Sequence, residues 1–133
     1  MTANPDHDET PSTPRRWVLK FADAGQGLLL GVRQSSMRVH LAAASLLLVV
    51  AAGLSLEPWR WAVLGLCITV VITAEYFNTA VEQLVGALVD QRRDDIAAVL
   101  HLAAAAVLAA ALGASLVGAL TLLPPIVAFW DHS

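Results

Sequence analysis

The chain has 133 residues, of which 57% are hydrophobic and 14% are charged, whereas ordinary soluble domains carry about 25% charged residues. This composition excludes an intrinsically disordered protein, a coiled coil and a nucleic-acid-binding protein, and the formal net charge of −3 offers no basic surface to a polyanion. The single cysteine, Cys67, cannot form an intramolecular disulfide and has no His or Cys at metal-ligand spacing, which excludes a structural zinc site.

The N-terminal part of the chain changes character near residue 14. Residues 1–13 are polar, acidic and proline-containing, so we expect a disordered tail. Over residues 14–38, apolar residues recur at spacings of three and four with five Lys or Arg residues between them. This pattern predicts a basic amphipathic helix that lies in the membrane interface. A soluble helix packed on a core is the alternative, but no other soluble segment is long enough to supply that core.

Three apolar segments follow, and their lengths suit a hydrocarbon core that takes about 20 helical residues to cross. We predict transmembrane helices at residues 39–56, 61–89 and 96–123. Pro124 and Pro125 are expected to end the third helix because neither has a backbone amide, which leaves residues 124–133 as a C-terminal tail. The sequence therefore predicts an all-α membrane protein whose membrane domain covers residues 14–123.

The charges of the connecting segments predict the orientation of these helices. The segment before the first span holds five Lys or Arg residues and the second connection holds two, whereas the first connection holds one and the C-terminal tail holds none. By the positive-inside rule, the N-terminus and the second connection are cytoplasmic. The third span is rich in alanine, which allows close helix packing in lipid, and we therefore expect an obligate oligomer.

Acidic side chains interrupt the second predicted span. A carboxylate at the bilayer centre costs at least about 2.5 kcal/mol. The spacing of Glu75, Asn78 and Glu82 places all three within roughly 60° of the helix circumference. Two carboxylates and an amide on one stripe suit acid–base chemistry on a hydroxyl group and the binding of a divalent cation such as Mg²⁺. Two alternatives remain open: a polar seam that joins helices in an oligomer, and a small ion or proton carrier.

Three motifs in this order resemble those of a known family. They are E-x-x-N-T-A-x-E in the second span, F-x-x-A-x-x-G in the amphipathic helix and R-x-H just before the first span, which here comprise Glu75, Asn78, Thr79, Ala80, Glu82, Phe21, Ala24, Gly27, Arg38 and His40. With the predicted topology, they resemble the bacterial diacylglycerol kinase and undecaprenol kinase family of small three-span membrane lipid kinases. The resemblance covers about residues 14–120.

The resemblance implies a homotrimer in the bacterial inner membrane, with composite sites at the cytoplasmic interface that move the γ-phosphoryl group of Mg-ATP to the hydroxyl of a membrane lipid, diacylglycerol or undecaprenol. It implies that Glu75 is the general base, that Asn78 is its polar neighbour and that Glu82 binds the magnesium of Mg-ATP. The implied lipid contacts are Ala24, Gly27 and Glu75. The implied nucleotide contacts are Arg16, Glu82, Asp94 and Asp95.

The sequence departs from the family pattern at three places. Gln34 stands where the family has a second magnesium-binding glutamate, so this metal position is degenerate. Gly86 replaces an aspartate, and Asp94 replaces the lysine of a Lys-Asp pair that touches ATP. Arg92 or Arg93 could supply the missing cation if the loop shifts. These departures leave a second hypothesis open: a catalytically weak or inactive family member that serves as a trimeric membrane scaffold or a lipid-binding protein.

Overall fold

Four helices make up the described part of the chain. The computed structural model describes residues 13–88 and 94–131, which contain no β-strand. The helices are α1 (Thr13–Val32), α2 (Ser35–Ala52), α3 (Pro58–Leu88) and α4 (Asp94–Asp131). The last three are long and apolar enough to cross a membrane. The all-α membrane class expected from the sequence is therefore confirmed. The expected disordered tail falls almost wholly on residues 1–12, which lie outside the described residues.

Helix α1 ends six residues earlier than the amphipathic pattern suggests. The chain turns at Arg33 and Gln34, and the Gln34 amide donates to the carbonyl of Gly31 at 3.0 Å. Gln34 itself has an extended backbone, with φ −69° and ψ 141°, and occupies the N-cap position of α2. This geometry cannot continue a helix, so residues 14–38 form one helix and the start of the next. The chain divides into two compact units between Leu30 and Gly31.

The first unit presents an apolar surface along α1. Its large apolar side chains are exposed, including Trp17, Phe21, Leu28 and Leu29. The ammonium group of Lys20 lies 5.0 Å from the centroid of the Trp17 ring, where the ring quadrupole attracts a cation. An exposed apolar surface with basic residues beside it is the composition that the interfacial hypothesis requires.

The second unit begins at Gly31 and contains α2, α3 and α4. A tight turn follows α2, in which the Gly53 amide donates to the Val50 carbonyl at 3.1 Å. Pro58 then occupies the first position of α3, where its missing amide costs nothing because that amide would have no partner in the helix. Helix α2 starts and ends four residues before the predicted span at residues 39–56. Helix α3 starts three residues before the predicted span at residues 61–89.

Helix α4 contradicts the expectation that Pro124 and Pro125 end it, because the helix continues through both prolines to Asp131. In a regular helix the amide of residue 125 would bond to the carbonyl of Thr121, and a proline cannot supply it. The Arg60 guanidinium, from the first turn of α3, donates to this Thr121 carbonyl instead. A charged donor from a neighbouring helix thus satisfies the carbonyl that Pro125 leaves free.

The core of the second unit is small and lies near the connection between α2 and α3. It consists of Ala51 of α2, Leu64 of α3 and Leu122 of α4, with partly buried apolar neighbours from α2, from the connection that follows it and from α4. In the most apolar 18-residue stretch of each helix, only a small share is buried: 11% in α2, 17% in α3 and 6% in α4. So large an exposed apolar surface is not sustained in water and suits a surrounding of lipid or of other helices.

Candidate functional site

The stripe of polar residues on α3 contains a buried carboxylate. Glu75 is ionisable but only 2% exposed. Most of the other side chains of α3 are apolar. A buried carboxylate without hydrogen-bond donors is strongly disfavoured. Helix α2, which packs against α3, is where such donors are expected.

Two side chains of α2 face the Glu75 carboxylate. The Ser36 hydroxyl donates a hydrogen bond to Oε1 of Glu75. Nε2 of His40 lies 3.8 Å from the other oxygen, Oε2, and the His40 side chain is 24% exposed. Ser36 and His40 are four residues apart and so lie on the same face of α2, one turn from each other. The first turns of α2 thus provide a polar wall for the carboxylate.

The next polar residues of the stripe form a pair of their own. Nδ2 of Asn78 donates to Oε1 of Glu82 at 2.9 Å, one helical turn further along α3. Glu82 is exposed, whereas Asn78 is 8% exposed. Asn78, which the resemblance makes the polar neighbour of Glu75, directs its amide nitrogen to Glu82. The stripe therefore contains two polar groups in sequence, Glu75 with its α2 partners and Asn78 with Glu82.

Two buried oxygen atoms of this stripe have no hydrogen-bond partner in the described part of the chain. They are Oδ1 of Asn78 and Oγ1 of Thr79. A buried oxygen acceptor without a partner is costly, and a bound water molecule or cation is one way to satisfy it. Oδ1 of Asn78 lies on the same side chain as the amide nitrogen that donates to Glu82, so it could offer a second oxygen to a cation beside that carboxylate.

These oxygens are too few to hold a metal ion by protein ligands alone, but they suit Mg²⁺ that is also bound by a nucleotide. Among residues 13–88 and 94–131, no three His, Cys, Asp or Glu side chains are grouped closely enough to hold a metal ion. Magnesium, however, is commonly bound by one or two protein oxygens together with the phosphates of its substrate. Glu82 and Asn78 fit that pattern. Gln34, the degenerate metal position, lies at the N-cap of α2 and makes no side-chain capping bond.

The remaining predicted site residues belong to α1, to α4 or to the connection before α4. Ala24 and Gly27 are exposed on α1, and Asp95 is exposed in the first turn of α4. Arg16 belongs to α1 and Asp94 begins α4, but their side chains lie outside the described part of the chain, as do Arg92 and Arg93. The structure therefore groups Glu75, Asn78 and Glu82 on one helix. It leaves the predicted nucleotide contacts as predictions.

An apolar groove adjoins the Glu75 group. It has a volume of about 490 Å³, is lined by α2, α3 and α4, and has mostly alanine, leucine and isoleucine walls. His40 lies in its wall and also faces Glu75. His40 therefore lies between the apolar groove, which suits a hydrocarbon chain, and the buried Glu75 carboxylate.

Sequence reasoning missed Ser36 as a partner of Glu75. The two residues are 39 positions apart, and nothing in the local pattern of either helix shows that they meet. A weak signal was present, because Ser36 and His40 have the i, i+4 spacing that places two polar groups on one helix face.

Comparisons with known proteins match most of the chain. The family model described as prokaryotic diacylglycerol kinase matches residues 22–122. A diacylglycerol kinase from Synechocystis sp. is 37% identical over 95 residues, which make up 71% of this chain and 54% of that protein. The chain therefore spans about half the length of this curated relative, and no solved structure matches it. The extent of the family match and the identity to the relative together show that this chain is a member of the prokaryotic diacylglycerol kinase family.

Proposed function

We propose that the chain phosphorylates a membrane lipid at its free hydroxyl, using the γ-phosphoryl group of ATP. The single observation that carries the proposal is the buried Glu75 carboxylate, which Ser36 and His40 face from α2. Diacylglycerol is the lipid of choice because the family and the matched relative are described by it. Undecaprenol, whose hydroxyl could react in the same way, is the alternative substrate.

The position of the acids along α3 supports chemistry at the membrane surface. From Pro58, the helical rise places Glu75 about 26 Å and Glu82 about 36 Å along the axis. A hydrocarbon core is about 30 Å thick, so a helix that enters it near Pro58 brings Glu75 to the opposite boundary and Glu82 among the headgroups. A lipid hydroxyl and a water-soluble nucleotide can both reach this level.

In the proposed reaction, Glu75 acts as the general base. Its carboxylate accepts the proton of the lipid hydroxyl while the hydroxyl oxygen forms a bond to the γ-phosphorus, and the bond from that phosphorus to the β-phosphate oxygen breaks to release ADP. The products are a lipid phosphate monoester, ADP and a protonated Glu75, which returns the proton to solvent. Phosphoryl transfer needs little beyond positioning, charge neutralisation and such a base.

Glu82 and Asn78 are the residues that would hold magnesium. The unpartnered Oδ1 of Asn78 and the exposed carboxylate of Glu82 both offer oxygen. Bound there with the nucleotide phosphates, the ion would neutralise negative charge on the transferred group. Gln34 would add at most a neutral amide oxygen. Asp95, Asp94 and Arg16 remain the proposed nucleotide contacts, and Ala24 and Gly27 the proposed lipid contacts.

We further propose that the protein works as a homotrimer in the bacterial inner membrane, with its N-terminus in the cytoplasm. The exposed apolar faces of α2, α3 and α4 support association, because small residues on α4 allow other helices to approach closely. The positive charges before α2 and between α3 and α4 support the orientation.

A transfer assay tests the proposed function. The purified protein is incubated in mixed micelles with radiolabelled ATP and Mg²⁺, and diacylglycerol and undecaprenol are offered in separate reactions. We expect label in a lipid phosphate, more with diacylglycerol, and none when EDTA removes the metal. Transfer to undecaprenol alone would identify undecaprenol as the substrate in place of diacylglycerol. Absence of transfer to either lipid would contradict the kinase proposal.

The replacement at the degenerate metal position favours one second candidate function. With Gln34 in place of an acid, Glu82 is the only carboxylate described at the proposed magnesium site, and the protein could serve as a membrane scaffold or lipid-binding protein without turnover. In that case the purified trimer would retain labelled diacylglycerol in micelles but would transfer no phosphate from ATP at any Mg²⁺ concentration.

A further inference from the structure

The two oxygens of the Glu75 carboxylate have different surroundings. One oxygen, Oε1, accepts a hydrogen bond from the Ser36 hydroxyl. Oε2 lies 3.8 Å from Nε2 of His40, beyond hydrogen-bond distance. The carboxylate is thus held through one oxygen, and the other oxygen lies toward the residue that also lines the apolar groove.

We propose that Ser36 is a positioning residue for the general base. It fixes the carboxylate through Oε1, so that Oε2 is the oxygen that accepts the lipid proton. The inference rests on the proposed lipid kinase function. It assigns to a residue of α2, which the family motifs do not include, the orientation of the reacting group on α3.

The chemistry of the carboxylate supports this division of roles. Oε1 already accepts the hydrogen of the Ser36 hydroxyl, whereas the nearest imidazole nitrogen, Nε2 of His40, is too far from Oε2 for a hydrogen bond, so Oε2 is the oxygen left open to a proton from the lipid. The glutamate side chain has several rotatable bonds, so without a fixed donor its carboxylate samples orientations that do not suit proton transfer. Ser36 can fix it because its backbone belongs to the first turn of a helix.

The simplest alternative is that Ser36 only joins α2 to α3. A structural hydrogen bond would affect folding and the retention of all substrates. A positioning bond affects mainly the chemical step, so kcat falls while KM for lipid and ATP stays nearly the same. The two roles therefore differ in a measurable way.

The first experiment measures kcat, both KM values and thermal stability for Ser36→Ala and Ser36→Thr, with Ser35→Ala as the matched control. Ser35 is the adjacent serine, is exposed, and has no role in the proposed site. We expect Ser36→Ala to lower kcat about tenfold, the loss typical of a hydrogen bond to a charged group. We expect Ser36→Thr, which keeps the hydroxyl, to recover most of this loss, and Ser35→Ala to behave as wild type.

A double-mutant comparison tests whether Ser36 acts through Glu75. If it does, Ser36→Ala should lower kcat less than about twofold when Glu75 is already glutamine, because the positioned base is absent. An equal loss in both backgrounds would overturn the inference, and so would a wild-type kcat for Ser36→Ala. If the wild-type protein phosphorylates no lipid, the proposed function itself fails, and this inference fails with it.

Discussion

A carboxylate that is 2% exposed between apolar helices must gain from its neighbours what it loses in hydration. For Glu75 the hydroxyl of Ser36 supplies one hydrogen bond, and the imidazole of His40 supplies a polar neighbour. In the proposed membrane placement Glu75 lies at the boundary of the hydrocarbon core, where ionisable groups are tolerated better than at the bilayer centre. Glu75 can therefore be buried among the helices and still lie, in the proposed placement, at the level of the lipid headgroups.

The proposed metal site depends on single residues as well, and a substitution at position 34 tests it. Because Gln34 offers only a neutral oxygen, we expect half-maximal activity to need more Mg²⁺ than in a variant with an acid there. Gln34→Glu should lower the Mg²⁺ concentration for half-maximal activity by roughly threefold or more, since a second carboxylate adds charge attraction in a partly dehydrated site. The measurement is a Mg²⁺ titration of initial rates at saturating lipid.

Ser35→Glu is the matched control for this titration. It adds the same charge one residue away, on a different face of the helix start. If both variants shift the titration equally, the effect is a general attraction of cations and position 34 is not a metal ligand. An unchanged titration for Gln34→Glu in an active protein would contradict its alignment with the second metal position.

At the scale of secondary-structure elements, α4 depends on a contact from α3. The carbonyl of Thr121, freed by Pro125, accepts a hydrogen bond from Arg60, whose Nε also lies 2.5 Å from the Glu57 carboxylate. Removal of the guanidinium in Arg60→Ala leaves that carbonyl without a partner, which should lower the free energy of unfolding by about 1 to 3 kcal/mol. Thermal unfolding in detergent micelles measures the loss.

Pro125→Ala provides the control for this prediction. Alanine restores the amide that bonds to Thr121, so Arg60→Ala should cost clearly less stability in the Pro125→Ala background than in the wild type. Equal losses in both backgrounds would show that Arg60 stabilises the protein in some other way, for example by its contact with the Trp59 ring, whose centroid is 4.5 Å away.

Two contacts between helices, Arg60 with Thr121 and Ser36 with Glu75, show which parts of the structure could not be predicted from sequence. The three long helices follow from runs of apolar residues, and the stripe of Glu75, Asn78 and Glu82 follows from spacing along one helix, so both were predictable. The continuation of α4 past Pro125 was not, because its cause is Arg60, which is 61 positions from Thr121. The hydrogen bond from Ser36 to Glu75 was missed for the same reason: it depends on how α2 packs against α3.

At the scale of the whole molecule, the charge distribution predicts an odd number of crossings with the N-terminus inside. A reporter fused after residue 133 should therefore be exposed on the outer side, where alkaline phosphatase is active and green fluorescent protein is dark. A reporter inserted near residue 91, in the second connection, should give the reverse result. Cytoplasmic activity at both places would contradict the three-span topology.

The most direct test of the account concerns Glu75 as the base of lipid phosphorylation. Glu75→Gln keeps the shape of the side chain and its capacity to accept a hydrogen bond from Ser36, but it can no longer take up a proton. With Glu57→Gln as the control for loss of an exposed carboxylate, we measure transfer from ATP to diacylglycerol together with nucleotide binding. We expect Glu75→Gln to lower kcat by about 100-fold or more while nucleotide binding persists. Near-normal transfer by this variant would contradict it.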